Sequence, residues 1–84
     1  MEKIKEIVWT QKFEQQYKKM KNRTTQDRID KQIRKILKNP DIGKPLKHEL
    51  KGERTIYIKP FRLIYTVQGD RLILLKFEHR NWAY

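Results

Sequence analysis

Residues 54–77 read RTIYIKPFRLIYTVQGDRLILLKF, and this stretch decides the fold. Three runs within it, Arg54 to Lys59, Arg62 to Val67 and Arg71 to Phe77, are rich in Ile, Leu, Tyr and Val. Those side chains suit a pleated, half-buried surface, so each run predicts a β-strand. Pro60 ends the first run because it has no N–H to give to a ladder. Gly69-Asp70 supplies a tight turn between the last two. In the middle run Phe61, Leu63, Tyr65 and Val67 fall on one side, and Arg62, Ile64 and Thr66 on the other. One face of the predicted sheet therefore has to meet another layer, while the other carries Arg62.

The first half of the chain supplies that layer. Ile4, Ile7 and Val8, followed by Trp9 and Thr10, predict a short strand ending at a helix cap. Thr10 is placed to accept orphan N–H groups of a helix whose apolar residues Phe13, Tyr17 and Met20 recur at helical spacing, with Glu14 favourable in its first turn and fraying near Asn22. A second helix is expected to be capped by Thr24 or Thr25, with Asp27 near its positive end. It carries Ile29, Ile33, Ile36 and Leu37 on one face and stops at Asn39-Pro40. From Asp41 to Gly52 periodicity is lost, and Gly43, Pro45 and Gly52 predict a surface loop. The expected fold is α+β: a short N-terminal strand, a two-helix hairpin, then a three-strand antiparallel meander with the helices on one face of the sheet.

At 84 residues, the chain is expected to form one domain over 1–84, with a thin core drawn from an apolar fraction of 37%. Lys and Arg number 21 against 10 Asp and Glu, a formal charge of +11, and the cations are interleaved with apolar residues throughout. That pattern predicts a folded domain with a basic surface and a polyanionic partner. With no cysteine, disulfides and thiolate zinc ligation are excluded, and no metal or other cofactor is expected. The N-terminal residues lack the apolar run of a signal peptide, and no stretch has the length of a membrane span, so a cytoplasmic protein without a membrane partner is expected.

Three short words extend the reading. Pro45-Leu46-Lys47-His48-Glu49-Leu50-Lys51-Gly52 precedes the first strand of the meander, Phe61-Arg62-Leu63-Ile64-Tyr65 opens the next, and His79-Arg80 is followed by a final Tyr84. In this order the chain resembles the RelE branch of the RelE/ParE toxin superfamily, the small toxins of type II toxin–antitoxin pairs. The resemblance implies a RelE-like single domain and a ribosome-dependent endoribonuclease that cuts mRNA in the A site by 2′-hydroxyl attack without a metal. It also implies a RelB-like antitoxin that neutralises the toxin, contact with 16S-type rRNA, and operator DNA binding by the toxin–antitoxin complex through the antitoxin.

The chemistry asks for a proton acceptor at the 2′-hydroxyl, cations around the phosphorane and a proton donor to the leaving 5′-oxygen. The resemblance makes Lys59, at the end of the first meander strand, the candidate base. Arg62 stands inside an apolar strand, where its planar fork suits two-point binding of a phosphate; the alternative is an ion pair with Glu53 or Glu78 across the sheet. Arg80 is read the same way. His79 is a candidate proton carrier or a strand-end structural residue. Tyr84 is expected to stack on the substrate base. Lys47, Lys51 and Arg54 are candidate contacts to RNA phosphates, Trp82 is expected to pack, and His48 to hydrogen-bond within its loop. Two positions depart from the family pattern, because Tyr57 and Glu78 stand where some members carry a lysine and an arginine. Two other functions stay open: a ParE-like inhibitor of DNA gyrase, against which the terminal His-Arg and Tyr words weigh, and an RNA-binding module without catalysis.

Overall fold

A computed structural model describes residues 4–45 and 52–79. The elements run β1 (Glu6–Trp9), α1 (Gln11–Lys19), α2 (Arg23–Lys38), β2 (Lys44–Pro45), β3 (Glu53–Ile58), β4 (Phe61–Gln68) and β5 (Arg71–His79). They form one sheet in the order β1-β5-β4-β3-β2. The expected meander is β3-β4-β5, antiparallel throughout. Two features lie outside that expectation. β1 adds to the far edge of β5 in parallel, which the long α1–α2 connection permits. Lys44 and Pro45, read as loop, pair with Thr55 and Arg54 as the short edge strand β2.

α1 begins where Thr10 takes extended φ and ψ and its hydroxyl accepts from the Phe13 N–H at 3.2 Å. The same hydroxyl donates to the Leu74 and Leu75 carbonyls at 2.8 and 2.9 Å, tying the helix start to β5. α1 ends at Lys19, and its last carbonyls are not left bare. The Gln26 amide donates to the Tyr17 and Met20 carbonyls at 3.3 and 2.6 Å. The expected caps of α2 are corrected. Asn22, not Thr24 or Thr25, is the N-cap and accepts from the Thr25 N–H at 3.1 Å, because its backbone is still extended while both threonines already lie in the first turn. Asp27 consequently falls beyond that turn, which holds no acidic residue.

The core sits between the helical layer and one sheet face. Phe13, Ile29, Ile33 and Ile36 from the helices meet Ile58, Leu63, Tyr65, Leu72, Leu74 and Phe77. The placement of Phe77 depends on a β-bulge. Ile64 pairs with Lys76 but Tyr65 pairs with Leu74, so Leu75 has no opposite residue. Unbroken alternation from Leu72 and Leu74 would turn Lys76 inward; the extra residue turns Phe77 inward instead. Phe77 stacks on Phe13 with ring centroids 4.5 Å apart.

Beyond β1 the edge of β5 would be open, and α1 closes it. The Gln16 amide donates to the Phe77 carbonyl at 3.0 Å and accepts from the Phe77 N–H at 2.8 Å, standing in for a neighbouring strand. On the opposite flank Tyr65 anchors the segment after α2. Its buried hydroxyl donates to the Pro40 carbonyl at 2.8 Å and accepts from the Gly43 N–H at 3.0 Å. A Cβ at Gly43 would stand 2.8 Å from that oxygen, so this position has no room for a side chain.

Burial first, against smaller opposing effects of the Gly43 N–H and Arg54, raises the Tyr65 pKa above the ordinary tyrosine value. Its stabilising contribution is therefore present below about pH 10 and is lost as pH climbs through the raised value. A spectrophotometric tyrosine titration should show one phenol ionising together with alkaline unfolding. Tyr65→Phe, which leaves the Pro40 and Gly43 groups unpartnered, should lower stability by about 1 to 3 kcal/mol in urea unfolding at neutral pH.

Candidate functional site

The sheet face turned away from the helices gathers charge at one end. By register Tyr57, Arg62 and Glu78 lie side by side on β3, β4 and β5, and Thr55, Ile64 and Lys76 form the next row. Arg62 Nη2 lies 2.9 Å from Glu78 Oε1, and Lys76 Nζ lies 3.3 Å from Glu78 Oε2. One carboxylate thus bridges two cations, each of its oxygens serving one. The three side chains are 36%, 31% and 33% exposed, open enough for a ligand to reach yet held against the sheet. Tyr57 is 51% exposed, a phenol ring beside this cluster. Lys59 is exposed in the turn that joins β3 to β4.

The remaining expected site residues are placed as follows. Arg62 makes the cross-strand pair that was its alternative reading, and its partner is Glu78, not Glu53. His79 does not join Arg62. It pairs with Phe61 on the helix side, its ring edge-on to Phe61 at 5.4 Å, because strand alternation puts consecutive residues on opposite faces. Arg54 also lies off the cluster. Its guanidinium donates to the carbonyls of Asp41 and Gly43 at 3.2 and 2.7 Å and pairs with the Asp41 carboxylate at 3.4 Å, so its fork clamps the segment before β2. Arg80, Tyr84, Lys47, Lys51, His48 and Trp82 lie outside the described residues. Lys76 was missed by the sequence reading. Its signal, a lysine two positions before Glu78 in an apolar run, acquires meaning only once the bulge fixes its face.

On the helix side a cleft of about 360 Å³ opens between the end of α1, the start of α2 and the sheet, with Met20, Phe61 and Phe77 in its wall and Lys19 and Lys21 at its rim. Among the described residues no group of three His, Asp or Glu is placed to hold a metal ion, and no helix is long and apolar enough to cross a membrane.

A helical hairpin laid on one face of a five-stranded sheet, with a charged cluster on the other face, is an α+β architecture. Solved structures share this fold. A YoeB/ParE toxin from Agrobacterium tumefaciens is 24% identical, with a TM-score of 0.82 over 90% of this chain and 99% of that one. The toxin–antitoxin complex RelBE2 from Mycobacterium tuberculosis is 22% identical, with a TM-score of 0.73 over 88% and 95%. A chromosomal ParDE system from P. aeruginosa is 18% identical, with a TM-score of 0.72 over 90% and 96%. The sequence matches none of the curated proteins with which it was compared. Residues 7–84 match the family described as the ParE toxin of type II toxin–antitoxin systems, parDE, and the chain belongs to that family of toxins.

The Arg62–Glu78 pair is open to solvent on its outer side, which limits its value to the fold. Arg62→Ala should lower stability by no more than about 1 kcal/mol in urea unfolding, with the circular dichroism spectrum unchanged.

Proposed function

We propose that this toxin is a ribosome-dependent endoribonuclease that cleaves mRNA in the A site and is held inactive by a cognate antitoxin. The observation that carries the reading is Arg62, a guanidinium on a central strand facing away from the core, with Lys76 sharing its anion and Lys59 in the adjoining turn. A strand interior is an uncommon place for an arginine unless its head is used.

The reaction needs little covalent chemistry from the protein, because the RNA carries its own nucleophile. Lys59 accepts the proton of the 2′-hydroxyl, whose oxygen attacks the adjacent phosphorus. Arg62 binds the non-bridging oxygens as negative charge builds on the phosphorane, and its fixed fork supplies stabilisation where a mobile chain would not. The bond to the 5′-oxygen breaks as that oxygen takes up a proton from solvent water, leaving a 2′,3′-cyclic phosphate and a free 5′-hydroxyl. Tyr57 offers a ring for an unpaired base beside the reacting phosphate. A ribosomal substrate fits a cytoplasmic protein, and the charge of +11 suits both ribosomal RNA and an acidic antitoxin segment. Operator DNA is contacted by the toxin–antitoxin complex through the antitoxin.

The match of residues 7–84 to the ParE family favours a second reading, inhibition of DNA gyrase without nuclease activity. Products separate the two. Under the nuclease reading, purified protein added to programmed ribosomes yields mRNA cut in the A site with a 2′,3′-cyclic phosphate end, and Arg62→Ala loses about 10²- to 10³-fold in cleavage rate while staying folded. Intact mRNA at stoichiometric protein, together with loss of gyrase supercoiling, would transfer the function to the second reading.

A further inference from the structure

A cation cluster poised for a phosphate would be expected to stand empty or hold a loosely bound ion. Here the chain fills it. Glu78 presents one oxygen to Arg62 at 2.9 Å and the other to Lys76 at 3.3 Å. A phosphodiester presents the same outline, two non-bridging oxygens that share a single negative charge. We infer that Glu78 is an internal competitor for the RNA phosphate, so that substrate must displace its carboxylate from Arg62 and Lys76 before the site can act. The identity of the displacing anion rests on the nuclease reading above; the competition itself does not.

Three observations support displacement over permanent scaffolding. The pair bridges strands that β-ladder hydrogen bonds already hold in register, from Phe61↔His79 to Gln68↔Arg71, so the carboxylate is not needed to align them. All three side chains remain about one-third exposed, and exchange of one anion for another needs no opening of the core. The charge arithmetic also favours it. Arg62, Lys76 and Glu78 together carry +1 where the two cations alone would carry +2, so the carboxylate halves the local attraction for RNA. An isolated phosphate competes poorly on those terms. A dense array of phosphates, as on a ribosome-bound message, gains enough from the rest of the basic surface to expel Glu78. The residue therefore acts as an attenuator that confines activity to a crowded polyanion.

The test uses the full chain with a short single-stranded RNA probe made uncleavable by 2′-O-methyl groups, titrated by fluorescence anisotropy over a range of KCl. Glu78→Gln keeps the size of the side chain and removes the charge. It should bind the probe about three- to tenfold tighter near 0.1 M salt, with a log–log salt slope steeper by about 0.7, the share of one extra phosphate on a single strand. Lys76→Met should weaken binding by a similar factor. Should Glu78→Gln fail to fold, Glu78→Ser carries the same expectation, because it also removes the charge. Unchanged or weaker binding by the charge-removed variant, with no change in salt slope, would overturn the inference and make Glu78 a holder of Arg62. Cleavage on programmed ribosomes is measured in parallel. Tighter probe binding without cleavage by either protein leaves the competition standing and sinks the nuclease reading. Cleavage by the wild type without any gain in probe binding does the reverse.

Discussion

Leu75 is the extra residue in β5, and the side to which each of its neighbours points follows from it. Before it, Leu72 and Leu74 face the helices by ordinary alternation; after it, Phe77 faces them too, and Lys76 and Glu78 are turned to the other face. Both layers of the protein depend on that shift. A flat, regular strand would have turned Lys76 toward the helices and Phe77 into water, losing the stack on Phe13. The bulge therefore fills a thin core and, in the same step, delivers a cation and a carboxylate to Arg62.

The rest of the architecture protects the edges that this arrangement creates. β1 covers β5 only as far as Leu74. Past that point side chains replace a strand: Thr10 takes the Leu74 and Leu75 carbonyls, and Gln16 satisfies both backbone groups of Phe77. Because Thr10 caps α1 and Gln16 lies within it, the helix that closes the core also closes the sheet edge. On the opposite flank Tyr65 and Arg54 do the same for residues 40–43, drawing backbone carbonyls and N–H groups onto the sheet. These polar contacts cost little to form where the strands are already fixed, and each would be costly to leave unmade.

The candidate site shows how a small basic domain separates its charges. Arg54 and Arg62 lie on β3 and β4 within a single sheet, yet one is bound to main-chain carbonyls on the helix side and the other to a carboxylate on the opposite side. Arg62 stands opposite Tyr57, three residues from Arg54 on β3, and residues an odd number apart along an unbulged strand cannot share a face. A cluster of cations in sequence is for this reason not yet a cluster in space, and the chemistry follows the second.

Much of the fold was legible without coordinates. The period of Phe61, Leu63, Tyr65 and Val67 named the buried side of β4, Gly69-Asp70 named the turn, and Thr10 named the start of α1, because each reports a local rule that tertiary packing had no reason to override. Arg62 was legible as an exception to its strand, though its partner was left open between Glu53 and Glu78. What only the tertiary structure decided is everything that hinges on pairing. The parallel seat of β1, the brief β2, the removal of His79 and Arg54 from the side of Arg62, and the arrival of Lys76 all required knowledge of which residues stand opposite each other. Local sequence encodes the period of a strand, but a bulge changes its phase, and that phase is set by how the neighbouring strand and the helices pack against it.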